Sequence, residues 1–227
     1  MTIFLPGFGA DQTLWTHQLE RFSDRAPHVI VLNEQESREA MVDTVLEKAP
    51  ERFSLIGHSM GGWVAQAVAA KAGERLSKLI LLNTWTRDNP QMVAMQKQSL
   101  DLIRQGHLNM LLKNFLLNLV PAKRIADDTM LLSAIQTMLE HCPPAILCRQ
   151  LKAMSEAYET FSLLNQIRCP TLVIHSELDA LFSLEEHQIL ASRIPHAQLA
   201  LIQDSGHMTP LEKPEELSVL IRSFLYT

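Results

Sequence analysis

With 227 residues, 47% of them hydrophobic and 20% charged, the chain is long enough to bury one substantial core and has the composition of an ordinary globular protein rather than a disordered one. A net charge of -5 supplies no basic footprint for phosphate, so DNA and RNA are set aside as partners, and no run of about 18 apolar residues is present to cross a membrane. Met1 to Pro6 is too short an apolar run for a signal peptide, and Cys142, Cys148 and Cys169 are an odd set without metal-ligand spacing, so free thiols and a cytoplasmic location are expected.

In chain order, the apolar run Thr2 to Leu5 reads as a buried strand that ends in a Pro6-Gly7 turn. A strand at His28 to Leu32 and a helix at Arg38 to Lys48 follow, then a strand at Phe53 to Ile56, a helix at Trp63 to Ala72 and a strand at Lys78 to Leu82. From about Asn89 to Tyr158 no strand-like run occurs, and Leu and Met recur at helical spacing. This stretch reads as an insertion of three or four helices, with breaks at Gly106, Pro121 and Cys142-Pro143-Pro144. A strand at Thr171 to Ile174, a helix at Leu184 to Arg193, a strand at Gln198 to Ile202 and a helix at Pro214 to Tyr226 complete the chain. Alternation of this kind predicts an α/β fold with a doubly wound, mostly parallel sheet of about six strands. Residues 1–88 and 159–227 would form that core, and residues 89–158 an all-helical cap.

The chemistry begins at Gly57-His58-Ser59-Met60-Gly61-Gly62, which lies between a strand and a helix and matches G-x-S-x-G. Such a turn forces its serine into a strained backbone conformation and needs glycines where other chain passes close by. The helix that follows presents its N-terminal amides to negative charge developing at the Ser59 oxygen. A serine is a poor nucleophile until a base takes its proton, so a histidine and a carboxylate are required later in the chain. His207, in Asp204-Ser205-Gly206-His207 after the last strand, is the best placed of nine histidines. His58 is read as packing or hydrogen bonding beside the turn, and the others as ordinary surface or core residues. Three carboxylates compete for the acid: Asp179 is preferred, Glu177 lies two residues before it, and Asp204 shares the loop of His207. An oxyanion would be held by the backbone amides of Met60 and of Phe8, the latter in the glycine-rich loop after the first strand. Leu111, Phe115, Leu119 and Met138 are candidate lining for an acyl pocket under the cap, although Leu and Met at helical spacing also describe plain core.

These residues, in the order serine, acid, histidine, resemble the α/β-hydrolase superfamily across nearly the whole chain. The resemblance is nearest to short bacterial esterase-type members with a helical cap, and looser to pimeloyl-carrier-protein methyl esterases. Leu5-Pro6-Gly7, Ala49 to Phe53, Ser59-Met60-Gly61-Gly62, Arg149-Gln150 and Ile167 to Val173 carry it. It implies carboxylesterase-like activity and a sheet that lacks the first hairpin of the fuller fold. Asn33 to Ser37 departs from the Gly-rich loop of many members, without touching the catalytic set.

Three functions follow. The first is hydrolysis of a small to medium apolar ester or thioester, with no cofactor and no metal expected. The second keeps the triad but cleaves a carbon–carbon bond or performs a cofactor-free elimination, because fold does not fix function. The third is a ligand-binding protein without turnover. An acyl carrier protein is a further candidate partner, with Lys123-Arg124 and Arg149 as cations that would meet an anionic substrate or carrier.

Overall fold

The computed structural model describes residues 1–86, 89–156 and 161–227. Strand β1 (Thr2–Leu5) leads through a 3-10 turn, capped by the Asp11 side chain, into helix α1 (Thr16–Arg21), and β2 (Pro27–Val29) and α2 (Arg38–Lys48) follow. Then come β3 (Phe53–His58), α3 (Met60–Ala72) and β4 (Leu76–Leu82). Beyond the cap, α9 (Phe161–Leu164), β5 (Thr171–Ser176), α10 (Leu184–Arg193), β6 (Ala197–Ile202), α11 (Thr209–Glu212) and α12 (Pro214–Leu225) close the chain.

The six strands pair in the order β2-β1-β3-β4-β5-β6, and every pairing is parallel. The sheet is thus wholly parallel rather than mostly so. Its central strands are covered on both faces, which is why they read as continuous apolar runs: every residue of β3 and of β5 is buried. Edge strand β6 instead exposes Gln198, Leu199 and Leu201. The chain runs from β1 outward to β2 and returns to β3 on the other side of β1. A crevice therefore opens at the carboxyl ends of β1 and β3, where open α/β sheets place their sites.

Helix α3 is apolar on nearly all sides and is buried between α2 and strands β3 and β4, with Trp63 fully enclosed. It starts at Met60, three residues before the start expected from its pattern. Gly61 and Gly62 are poor helix formers and mask the beginning, yet the turn at Ser59 sets it there.

Among the described residues the helical insertion, called the cap below, holds five helices rather than three or four: α4 (Pro90–Arg104), α5 (Leu108–Leu119), α6 (Ala122–Asp127), α7 (Thr129–His141) and α8 (Pro144–Met154). The overlooked break is at Asp128, whose carboxylate accepts the Leu131 N–H at 3.0 Å and so starts α7 without a Gly or Pro to mark it. The expected cap edges, at residues 88 and 158–159, lie outside the described residues. No described helix is long and apolar enough to cross a membrane.

Candidate active site

Ser59 sits between β3 and α3 at φ 53°, ψ -121°, a conformation that costs a non-glycine residue about 1–3 kcal/mol and persists only where the surroundings enforce it. They do so by contact. A Cβ on Gly57 would lie 2.5 Å from the Gly61 carbonyl oxygen, and one on Gly61 would lie 2.3 Å from the Leu5 carbonyl oxygen. Hydrogen bonds complete the hold. The Ser59 N–H donates to Leu82 O at 3.0 Å, and the Ser59 carbonyl accepts from Gly62 N–H at 2.9 Å, Trp63 N–H at 3.0 Å and the Thr84 hydroxyl at 2.7 Å.

His207 lies on the turn between β6 and α11, and its Nδ1 meets Asp179 Oδ2 at 2.9 Å, with both side chains almost fully enclosed. The other oxygen of Asp179 accepts the Leu181 N–H at 2.8 Å and the Phe182 N–H at 3.3 Å. Burial by itself would raise the Asp179 pKa. The adjacent His207 imidazole and the two amides outweigh it and hold the carboxyl below its ordinary range. Glu177 does not reach the histidine; it accepts the Asp204 N–H at 3.0 Å. Asp204 pairs instead with Lys123 and Lys213.

His58 ties the two halves of the site together. Its Nε2 donates to the His207 carbonyl at 2.8 Å, its ring lies 4.7 Å from that of His207, and burial depresses its pKa to about 3, so it is neutral. This bond runs to the histidine's backbone and leaves the His207 ring to Asp179.

Phe8 occupies the second position of a turn closed by Ala10 N–H to Gly7 O at 3.2 Å, with Gly9 at φ 67° in the third, the pattern of a type II turn. This turn abuts the serine, since a Cβ on Gly7 would stand 3.0 Å from Ser59 Cβ. Neither the Phe8 nor the Met60 N–H takes part in the loop and cap hydrogen bonds of the described residues. The turn is held from the cap by Gln150 of α8, whose Oε1 accepts Gly9 N–H at 2.9 Å while its Nε2 donates to Leu32 O at 3.0 Å.

The candidate pocket residues divide. Phe115 packs edge-on against Phe8 at 5.5 Å, and Leu119 carries the carbonyl that accepts His207 N–H at 3.1 Å. Leu111 is half-buried on the same helix. Met138 instead lines a cavity of about 660 Å³ between α7, the Asp11–Thr13 segment and Leu211, whose walls include none of Ser59, Asp179 and His207. The wall beside His207 is one that sequence reasoning missed: Phe182, 5.6 Å from the imidazole, stacks on Trp85 at 5.1 Å, which stacks on Trp63 at 5.5 Å. Of the cations that could meet an anion, Lys123 pairs with Asp204, Arg124 faces Glu212 and Asp128, and Arg149 donates to Asn33 O.

Three further residues escaped the sequence. Asn83, buried at the end of β4 with φ 44°, donates to His207 O at 3.0 Å and Thr209 Oγ1 at 2.9 Å and accepts Ser176 N–H at 2.9 Å. His187 accepts the Thr84 N–H at 3.1 Å through Nε2 and donates from Nδ1 to Ser183 O at 2.8 Å; burial lowers its pKa to about 4. Glu212 brackets the His207 turn from α11. The partners of Asn83 and the Thr84 partner of His187 lie far away in the chain, whereas those of Glu212 are close but reached only through the turn at His207. Burial raises the thiols of Cys142 and Cys169 to a pKa of about 11, and no described cluster of three His, Cys, Asp or Glu side chains has the arrangement of a metal site.

Known proteins are similar to this chain in sequence and in fold. RutD of Rhizobium rhizogenes, to which carbamate hydrolysis is ascribed, is 28% identical over 192 residues, covering 82% of this chain and 73% of its own. A pimeloyl-acyl-carrier-protein methyl ester esterase of Aromatoleum aromaticum is 28% identical over 199 residues, covering 81% and 78%. The structure of a thermophilic esterase from Thermogutta terrifontis superposes with a TM-score of 0.88 at 28% identity, over 99% of this chain and 89% of that one. The family model Hydrolase_4, described as serine aminopeptidase, S33, matches residues 36–214, a span that holds Ser59, Asp179 and His207. With that match over most of its length, the chain belongs to the Hydrolase_4 family of the α/β-hydrolase superfamily.

Proposed function

We propose that the chain is a serine hydrolase that cleaves carboxylic esters or thioesters with a small to medium apolar acyl group, through Ser59, His207 and Asp179. The observation that carries this reading is the enclosed 2.9 Å bond from His207 Nδ1 to Asp179, on a turn bonded by His58 to the strand that presents Ser59. With its Nδ1 proton directed at Asp179, His207 keeps Nε2 as the basic nitrogen. It takes the Ser59 hydroxyl proton as Oγ attacks the acyl carbon, and returns that proton to the leaving alcohol or thiol. The tetrahedral oxyanion is met by the N–H groups of Phe8 and Met60, and water then repeats the sequence to release the acid. Asp179 stays ionised throughout, which its depressed pKa supports.

The apolar acyl preference rests on Phe182 against the His207 ring and on Phe8, whose turn abuts Ser59 and which carries Phe115 edge-on. Carbamates are the second reading, supported by the 28% identity to RutD, and they need only a nitrogen on the acyl carbon. A fluorophosphonate probe is expected to label the native chain and not Ser59→Ala. p-Nitrophenyl esters of increasing acyl length are expected to be hydrolysed with a drop of roughly 10⁴- to 10⁶-fold in Ser59→Ala. A folded native chain that neither labels nor turns over any ester would end the ester reading, and turnover confined to p-nitrophenyl carbamates would replace it with the second.

A further inference from the structure

The His207 turn has its main-chain polar groups fully assigned. The carbonyls of Gly206 and His207 accept from Asn83 Nδ2 at 3.3 and 3.0 Å, and the latter also accepts from His58. The amide of His207 donates to Leu119 O, at the end of cap helix α5. The amides on either side of it are taken by a single carboxylate: Gly206 N–H donates to Glu212 Oε2 at 2.9 Å and Met208 N–H to Glu212 Oε1 at 3.0 Å. Two parallel bonds to one planar group fix an orientation as well as a position.

The Glu212 side chain is wholly enclosed, and a buried carboxylate needs a neutralising partner. Its cation comes from the cap: Arg124 Nε of α6 stands 3.7 Å from Oε2. The same corner covers the turn from above, since a Cβ on Gly206 would lie 2.5 Å from Pro121 Cδ. Of the groups that hold the turn, Leu119 O belongs to the cap, and Glu212 is neutralised from it, so both depend on the α5–α6 corner.

We propose that Glu212 is the positioning residue for His207, and that Arg124 makes this positioning conditional on the seating of the α5–α6 corner of the cap. The inference rests on the serine-hydrolase reading. Burial raises the Glu212 pKa; when the corner is seated, Arg124 opposes that rise and favours the carboxylate, the bracket holds both amides, and His207 is aligned with Ser59. When the corner lifts, Leu119 O and Arg124 leave together, and the base loses its alignment while the cap is open to solvent. The enzyme would thereby be at its most reactive only with substrate enclosed.

Glu212→Gln keeps size but sets an amide NH₂ against one of the two N–H donors; Arg124→Gln removes the cation at a partly exposed position. For each, the thermal midpoint, kcat and KM on a p-nitrophenyl ester, the rate of fluorophosphonate labelling and the downfield proton resonance of His207 Nδ1 are measured. Glu212→Gln is expected to lower kcat and the labelling rate together by roughly 10- to 100-fold, as a displacement of order 1 Å does, with KM nearly unchanged and the Nδ1 resonance shifted or broadened. Arg124→Gln is expected to show the same pattern more weakly, and the double variant to be no worse than Glu212→Gln alone. Native kcat and a native resonance in Glu212→Gln, or a loss explained wholly by the unfolded fraction, would overturn the proposal. If Glu212→Gln does not fold, native kcat in Arg124→Gln overturns it equally. Should the native chain itself show neither turnover nor labelling, the hydrolase reading fails, while the resonance, which needs no substrate, still decides whether Glu212 orients His207.

Discussion

The serine turn and the histidine turn are held in place by opposite means. At Ser59 the constraint is steric and mostly local: Gly57 and Gly61 sit within two residues of it, and a Cβ on either would collide with backbone. At His207 the constraint is a set of hydrogen bonds, most of them from afar: Asn83, His58 and Leu119 reach the turn across the chain, and Glu212 reaches it from the helix that follows. A steric cradle is all-or-none, whereas a hydrogen-bonded one weakens in steps as partners are removed. Ser59 is thus locked by the fold itself, and the placement of His207 is adjustable.

The sharpest break of this contrast is Gly61→Ala. Its added methyl would stand 2.3 Å from the Leu5 carbonyl oxygen, and a clash with backbone is expected to cost at least about 3 kcal/mol and to abolish Ser59 labelling. Thermal melting by circular dichroism decides it, and a variant that melts with the native chain would refute the steric account. Next in size is Asn83→Ala, which strips donors from the carbonyls of Gly206 and His207 at once. The His207 carbonyl keeps His58 and the Gly206 carbonyl keeps the Thr209 hydroxyl, so the group left unpaired is the buried Ser176 N–H; at roughly 1–3 kcal/mol for it, the loss should be about 2 kcal/mol in urea titration, with kcat down roughly 100-fold. Retained kcat at full occupancy of the fold would show that the turn does not need this hub.

Gln150→Ala tests the cap's grip on the oxyanion turn. It removes the acceptor of Gly9 N–H and the donor to Leu32 O, for an expected loss of about 1–2 kcal/mol and a roughly tenfold slower labelling of Ser59. Unchanged labelling would place the oxyanion donors outside the cap's influence. The smallest effect is on acid stability. His187 is neutral in the fold, with a pKa lowered to about 4 from an ordinary 6.5, so its unfolded form binds the proton first. Stability tied to it is complete above about pH 6.5 and is lost as the pH falls toward 4. The thermal midpoint should therefore drop between pH 7 and pH 5, and His187→Gln should flatten that slope. An identical slope in the variant would assign the acid sensitivity to other groups, His58 first among them.

The division between local and distant restraint also explains what could be read from the residues alone. The strands other than β2, which runs Pro27–Val29 and stops short of the expected Leu32, the Arg38–Lys48 and Leu184–Arg193 helices and the Ser59 turn were legible because each rests on a short pattern of apolar spacing or glycine placement. The cap was legible as helical, but its division at Asp128 was hidden in a capping residue. Asn83, His187 and the Trp85–Phe182 wall were not legible, since each acts on groups brought near only by the finished sheet, and Glu212, close in sequence to its partners, carries no pattern that marks its inward direction. Met138 shows the converse: helical spacing put it on a cap face but could not say which cavity that face meets.

The stacked aromatic column has a consequence for how this protein can be observed. The chain contains three tryptophans, and all of them lie against the site's supports: Trp63 on Trp85, Trp85 on the Phe182 that meets His207, and Trp15 edge-on to His58 at 6.3 Å. No indole resides elsewhere to dilute the signal. Intrinsic emission is therefore a label-free gauge of the region around Ser59 and His207, and covalent labelling of Ser59 or displacement of the cap should alter its intensity without any added dye.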